Sequence, residues 1–144
     1  EAVTVPTATG EWDTDYAAKV AAALDVLKRH DFVALHLEGP DEATHNHDLE
    51  HKIYSIERLS ADVVAPVTEA LRAAGEDFRL LLLSDHMTYM ANGAHGADPV
   101  PFVLYDSRVF EGSGLPYSEA NGAKGPYVDD GAQLMDLLFE LKKL

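Results

Sequence analysis

Hydrophobic and polar residues follow two different spacings along the chain, and each spacing predicts its own kind of element. Apolar residues three or four positions apart predict helices over about 13–29, 48–74 and 131–144. Side-chain oxygens near the start of the first segment, at Asp15 and its two predecessors, are typical of a helix N-cap. Pro66 should kink or divide the second helix, because proline has no backbone N–H and disfavours helical backbone at the preceding residue.

Short apolar segments bounded by polar residues predict strands at 3–5, 32–37, 78–83 and 100–105. The third segment, FRLLLL, is apolar on both alternating faces apart from Arg79, as expected for a strand covered on two sides. Strands alternating with helices predict an α/β fold, specifically a three-layer sandwich around a mostly parallel sheet. No clear helical pattern fills the connection between the last two strands, so 100–105 could return antiparallel to 78–83.

Composition narrows the class of protein. The chain has 144 residues, 47% of them hydrophobic and 25% charged, which is typical of one folded domain spanning 1–144. A net charge of -14 opposes phosphate backbones and anionic lipids, so we expect no nucleic-acid or membrane partner. The sequence shows no signal peptide and no apolar run long enough to span a membrane, and we expect a cytoplasmic location. The chain has no cysteine, which excludes thiolate metal sites and cysteine nucleophiles. An anionic substrate would need cations to hold it.

Residues that can bind metal ions stand beside the ends of three predicted strands. They are Asp41 and His45 after 32–37, Asp85 and His86 after 78–83, and His95 just before 100–105. The first two would face the same way if 41–45 forms a helical turn, whereas the adjacent pair should diverge. Functional residues of α/β sheets lie beyond the carboxyl ends of the strands, so we expect all five at one sheet edge.

Mixed carboxylate and imidazole ligands suit Mn²⁺, Zn²⁺ or Fe²⁺ better than Ca²⁺ or Mg²⁺. Two such ions side by side would clamp a phosphoryl group and offset the acidic surface. A structural alternative is that each aspartate caps a helix and each histidine is an exposed loop residue. The pattern H-x-x-E-H at 47–51 is that of an inverted zincin, but the match is short. An exposed first helical turn with His47 and His51 on one face is the better explanation of these residues.

Several segments, taken in order, resemble the archaeal-type cofactor-independent phosphoglycerate mutases of the alkaline phosphatase superfamily. They are TATGEWDTDY at 7–16, GPDEATH at 39–45, DLEHKIYSIE at 48–57, SDHMT at 84–88, AHGADPVPFVLYD at 94–106 and YSEANGAKG at 117–125. The resemblance covers nearly the whole chain and implies an alkaline-phosphatase-like fold. It further implies an enzyme that interconverts 3-phosphoglycerate and 2-phosphoglycerate through a phospho-serine.

The resemblance also assigns ligands. It implies that Asp41, His45 and His95 bind one divalent ion while Asp85 and His86 bind a second, with Mn²⁺ the expected metal and Zn²⁺ or Mg²⁺ the alternatives. The family's nucleophilic serine and its remaining aspartate ligand lie upstream of the matched region. We therefore expect this chain, which begins at Glu1, to be the C-terminal part of the metalloenzyme domain and inactive without its N-terminal part.

Two other functions stay open at this point. One is a phosphatase or another phosphotransferase of the same superfamily acting on a small phosphorylated substrate. The other is a metal-binding domain that has lost catalysis. Fold alone does not choose among them.

Overall fold

The computed structural model describes residues 1–109 and 112–141, which fall into two compact units. The first unit comprises Glu1–Gly75 and Thr88–His95, and the second comprises Glu76–Met87 and Gly96–Leu144. The first unit is mainly helical. Its helices are α1 (Tyr16–Leu27), α2 (Gly39–His45), α3 (Leu49–Arg58) and α4 (Ala65–Ala73).

Helix α1 begins where the sequence predicts. The carboxylate of Asp15 accepts the backbone N–H of Ala18 at 2.9 Å and so satisfies a donor that the first helical turn leaves free. The helix ends at Leu27, slightly before the predicted end. Its buried residues Val20, Ala23 and Val26 follow the spacing of a single apolar stripe.

The long helix predicted over 48–74 is continuous but changes type along its length. Helices α3 and α4 are joined by a π-helical segment, Leu59–Val64, that runs directly from one into the other. Pro66 is the second residue of α4 and lies just after the π-helical segment. The predicted disturbance at proline therefore takes the form of a wider helical turn before it.

Small residues let α2 lie close against α3. A Cβ on Gly39 would come within 2.9 Å of the Ser55 hydroxyl and 3.1 Å of the Trp12 Cα, so only glycine fits there. Thr44 and Ser55 are completely buried, and each hydroxyl donates to the carbonyl four residues earlier in its own helix. The buried contact between α2 and α3 therefore sets the position of α2 independently of its exposed residues.

The second unit contains a two-stranded antiparallel sheet of β1 (Arg79–Leu83) and β4 (Phe102–Asp106). The register places Arg79 opposite Asp106 and Leu83 opposite Phe102. Both strands were predicted, and their antiparallel pairing is the possibility that the missing helical pattern between them had left open. Between them along the chain lie two very short strands that the pattern did not predict, β2 (Met87–Thr88) and β3 (His95–Gly96), which pair with each other.

The second unit also contains helices α5 (Glu119–Gly122) and α6 (Gln133–Leu138). Arg79 donates to the carbonyls of Leu137 and Leu138, at 2.7 and 3.3 Å, and so caps the C-terminal end of α6 from β1. Helix α6 is shorter than the predicted 131–144, and residues 142–144 lie outside the described residues.

The predicted strands at 3–5 and 32–37 are absent from the described parts of the chain. Exposure does alternate along 32–37, where Val33, Leu35 and Leu37 are more buried than the residues between them. The backbone carbonyl of His36, however, accepts from Lys19 Nζ at 3.0 Å. The prediction of a strand is wrong here because alternation reports burial, whereas a strand also needs a neighbour to pair with.

The fold class is thus confirmed at a coarse level, as helices mixed with small sheets. A three-layer sandwich with a mostly parallel sheet is not seen within residues 1–109 and 112–141. The same stretches of chain contain no helix long and apolar enough to cross a membrane.

Candidate metal centre

Three of the five predicted ligands lie together in the first unit. Asp41 and His45 occupy α2 one turn apart, and His95 is the first residue of β3. The Nε2 atom of His45 lies 3.1 Å from Asp41 Oδ2 and 3.0 Å from His95 Nε2. His95 Nε2 lies 3.5 Å from Asp41 Oδ1, so one carboxylate and two imidazoles converge on one point.

The sequence of α2 explains how two of these side chains come to be available. Pro40 occupies the first turn, and the buried residues Ala43 and Thr44 cover the packed side of the helix. Asp41 and His45, four residues apart, share the remaining side and stay 29% and 36% exposed. A short helix held by its small residues therefore presents both ligands to solvent.

A backbone contact sets the orientation of His45. Its Nδ1 lies 2.7 Å from the carbonyl oxygen of Gly93. Because a carbonyl can only accept, Nδ1 carries a proton, and Nε2 is the ring nitrogen that faces the cluster and can bind a cation. Histidine ligands of metals are commonly held in this way by a backbone carbonyl. Gly93 has a φ of +64°, a left-handed conformation that suits glycine in the tight turn after Tyr89.

The donor set fits a divalent cation. Ligand atoms of Asp41, His45 and His95 all lie within 4.8 Å of one another. Two imidazole nitrogens only 3.0 Å apart need a proton or a cation between them, because two lone pairs at that distance repel. One carboxylate oxygen and two imidazole nitrogens are ligands typical of Mn²⁺, Zn²⁺ or Fe²⁺.

Asp85 and His86 belong to the second unit and come just after β1, separated from it by Ser84, as predicted. The backbone N–H of His86 donates to Asp85 Oδ1 at 3.1 Å, and His86 Nε2 lies 3.6 Å from Asp85 Oδ2. The two side chains turn toward each other instead of diverging, because that backbone hydrogen bond folds the carboxylate back along the chain. Their binding of a second ion stays a prediction.

The H-x-x-E-H segment has structural contacts. His47 precedes α3 in a turn with a φ of +55°, and its Nδ1 lies 3.1 Å from the carbonyl oxygen of Met90. His51 lies inside α3, where its ring stacks on Trp12 at 3.9 Å and its Nδ1 lies 2.6 Å from Asp48 Oδ2. The predicted sharing of one helical face is therefore wrong, since His47 is outside the helix.

Two residues beside the cluster were missed by the sequence analysis. The hydroxyl of Thr88 donates to Asp41 Oδ1, and Lys52 Nζ donates to the backbone carbonyl of Thr88 at 3.0 Å. Both lie inside segments that carry the family resemblance, SDHMT and DLEHKIYSIE. Their place in these segments could have marked them as candidates, but neither side chain is itself a typical metal ligand.

The sequence pattern of the Metalloenzyme superfamily matches residues 1–139. The chain belongs to the Metalloenzyme superfamily. Curated relatives carry a more specific name, 2,3-bisphosphoglycerate-independent phosphoglycerate mutase. One from Methanothrix thermoacetophila is 44% identical over 137 residues, which are 94% of this chain and 35% of the relative. Another, from Methanosarcina acetivorans, is 37% identical over 124 residues, or 86% of this chain and 31% of the relative.

A solved structure shares the fold of this chain. The PH0037 protein from Pyrococcus horikoshii aligns with a TM-score of 0.83 and 25% identity, over 98% of this chain and 42% of that one. The chain spans about a third of the length of the curated relatives that it matches. The resemblance to phosphoglycerate mutases that the motifs indicated is thus confirmed for this part of their length.

Proposed function

We propose that the whole protein is a metal-dependent phosphoglycerate mutase, which interconverts 3-phosphoglycerate and 2-phosphoglycerate through a phospho-serine. The observation that carries this proposal is the convergence of Asp41, His45 and His95 in a chain whose relatives bear that name. The substrate would be a small phosphorylated acid, and the reaction would belong to glycolysis in the cytoplasm.

In this proposal Asp41, His45 and His95 hold one divalent ion, and Asp85 and His86 contribute to a second. Mn²⁺ is the expected metal because it accepts both oxygen and imidazole ligands, with Zn²⁺ or Mg²⁺ as alternatives. When bound, such ions lower the pKa of an attacking hydroxyl and neutralise charge on a transferring phosphoryl group.

The chain's own residues prepare the site in two ways. Gly93 keeps the proton of His45 on Nδ1, so that Nε2 is available as a ligand. Asp41 supplies a negative charge that attracts a cation into a protein of net charge -14, which would otherwise repel a phosphorylated acid. The nucleophilic serine and the remaining aspartate ligand are proposed to lie in a part of the protein outside this chain, which alone should be inactive.

The three-layer sandwich is likewise proposed for the whole protein. The alternating exposure of 32–37 supports it, because an extended segment with one more buried face is ready to join a sheet once a neighbouring strand is available. In that arrangement the segment leading into Asp41 would become a parallel strand ending at the metal site.

Activity is tested on the complete gene product. With Mn²⁺ present, it should convert 3-phosphoglycerate to 2-phosphoglycerate without releasing inorganic phosphate. Release of phosphate as the main reaction would instead identify a phosphatase of the same superfamily. If neither reaction occurs while the protein still binds Mn²⁺, a metal-binding domain without catalysis is the better description.

Metal binding is tested separately by calorimetry and thermal melts with Mn²⁺ and Zn²⁺. We expect one ion per chain, and stability that rises with the logarithm of free metal once the site is saturated. His95→Ala should lose this response, whereas His36→Ala, which removes a largely exposed imidazole near Glu38, should keep it. Equal responses in both variants would contradict the assignment of His95.

A further inference from the structure

Asp41 has one oxygen on each side of the cluster. Its Oδ2 lies nearer His45, and its Oδ1 lies nearer His95. The hydroxyl of Thr88 donates a hydrogen bond to Oδ1. A carboxylate on a two-bond side chain can rotate about its last bond, and this hydrogen bond fixes that rotation. Oδ2 is thereby directed to Nε2 of His45, which in turn lies 3.0 Å from Nε2 of His95.

Thr88 is itself held at a second point. Lys52 Nζ donates to the Thr88 backbone carbonyl at 3.0 Å, and Lys52 extends from α3, the helix against which α2 packs. Thr88 therefore has its backbone tied to α3 and its hydroxyl tied to α2. Because Thr88 is half-buried and is held through both its backbone and its hydroxyl, it can keep a carboxylate in one orientation.

We propose that Thr88 is a positioning residue that orients the carboxylate of Asp41 for a divalent ion, and that Lys52 keeps Thr88 in place. The inference rests on the proposed metal role of the three-residue cluster. It goes beyond that role because it gives a function to two residues that bind no metal themselves. Residues that hydrogen-bond to a metal ligand, without touching the ion, typically account for about 10–100-fold in metal affinity.

The test measures Mn²⁺ affinity by calorimetry in three threonine variants. Thr88→Val keeps the shape but removes the hydroxyl, and it should weaken binding by roughly 10–100-fold. Thr88→Ser restores a hydroxyl and should bind close to the wild-type affinity. Thr68→Val is the matched control, because Thr68 donates to carbonyls of its own helical region, at Val64 and Ala65, and its loss should leave affinity unchanged.

A spectroscopic readout separates positioning from a general loss of structure. With Co²⁺ in place of Mn²⁺, Thr88→Val frees Oδ1 to approach the ion, so the visible absorption bands should differ from those of wild type. Thr88→Ser should reproduce the wild-type spectrum. Lys52→Met should weaken Mn²⁺ binding as Thr88→Val does, but by less. If Thr88→Val does not fold, Lys52→Met is the variant that tests the proposal.

Failure of this inference differs from failure of the proposed site. If His95→Ala loses Mn²⁺ binding while Thr88→Val and Lys52→Met bind as wild type does, the positioning role is wrong and the metal site stands. If His95→Ala itself binds Mn²⁺ like wild type, the metal site is wrong. A Thr88→Ser variant as weak as Thr88→Val would also overturn the role of the hydroxyl.

Discussion

Asp41 in the first unit and Asp106 in the second are both largely covered carboxylates, but their partners differ in kind. Asp106, 11% exposed, receives Arg79 Nε at 2.7 Å and Arg108 Nη2 at 2.6 Å. Asp41, 29% exposed, receives the hydroxyl of Thr88 and stands beside two imidazoles. Arginine carries a permanent positive charge, whereas a hydroxyl carries none and an imidazole does so only when it is protonated.

The difference separates a structural ion pair from a site prepared for a cation. Hydrogen bonds from the Arg108 side chain, then from its backbone N–H and from Arg79, hold the pKa of Asp106 well below its ordinary value. The charge of that carboxylate is already neutralised by the protein. The hydroxyl of Thr88 brings no positive charge to Asp41, so a bound ion can supply one.

The largest effect is expected for Asp41→Asn. The variant keeps the shape but loses the anionic ligand, so Mn²⁺ affinity should fall by more than the roughly 100-fold that an outer partner can cost. Asp106→Asn should leave the affinity unchanged, and it serves as the control. Calorimetric titration of both variants checks the comparison. Equal losses of affinity would show that the two carboxylates do not differ in role.

Asp106 should matter for stability although it does not matter for Mn²⁺ binding. Asp106→Asn leaves two guanidinium groups without their shared carboxylate, next to the C-terminal end of α6, and should lower the melting temperature of the metal-free protein. Asp25→Asn removes an exposed carboxylate from Lys28 and Arg29 and should change it far less. Differential scanning calorimetry measures both. A larger fall for Asp25→Asn would argue against a structural role for Asp106.

Acid should act through the same carboxylate. The pKa of Asp106 is lowered on folding, so its contribution to stability is present above the unfolded value of about 3.9 and is lost as pH falls below it. Urea unfolding at pH 5 and pH 3 should show a larger loss for wild type than for Asp106→Asn. Other carboxyls with lowered pKa values, such as Asp15 and Asp48, titrate in both proteins and cancel in the difference. Equal losses would contradict the prediction.

The smallest effect concerns Gly93, whose carbonyl orients His45. Gly93→Ala and Gly75→Ala both place a side chain at positive φ, +64° and +73°, and each should cost about 1–2 kcal/mol. A Cβ at Gly93 would also lie 3.4 Å from the His45 carbonyl oxygen, whereas one at Gly75 meets nothing within 4 Å. Thermal melts should show similar costs, and only Gly93→Ala should weaken Mn²⁺ binding. An equal effect of both on binding would argue against the Gly93 contact.

Local patterns predicted the elements whose cause is local. The N-cap at Asp15, the disturbance at Pro66 and the strand FRLLLL all depend on neighbouring residues, and all are found close to their predicted positions. Segment 32–37 failed because a strand depends on a partner elsewhere in the chain. The same limit applies to the predicted parallel sheet.

The residues of the candidate site also differ in whether their role depends on local sequence or on contacts with distant residues. Asp41 and His45 could be paired from their spacing alone, since a helix brings residues four apart to one side. His95 was placed with them by its position before a predicted strand and by the family resemblance. Thr88 and Lys52 could not be predicted, because a hydroxyl and an ammonium acquire their role only from the carboxylate and the carbonyl that they contact.

His45 and His95 are 50 residues apart in sequence. An ion bound to both would act as a cross-link in a chain that has no cysteine. Closing a loop of that length lowers the conformational entropy of the unfolded chain. The resulting stabilisation of the folded state is about 4 kcal/mol, comparable to that of a long-range disulfide. Chelators would then do to this protein what reducing agents do to secreted domains.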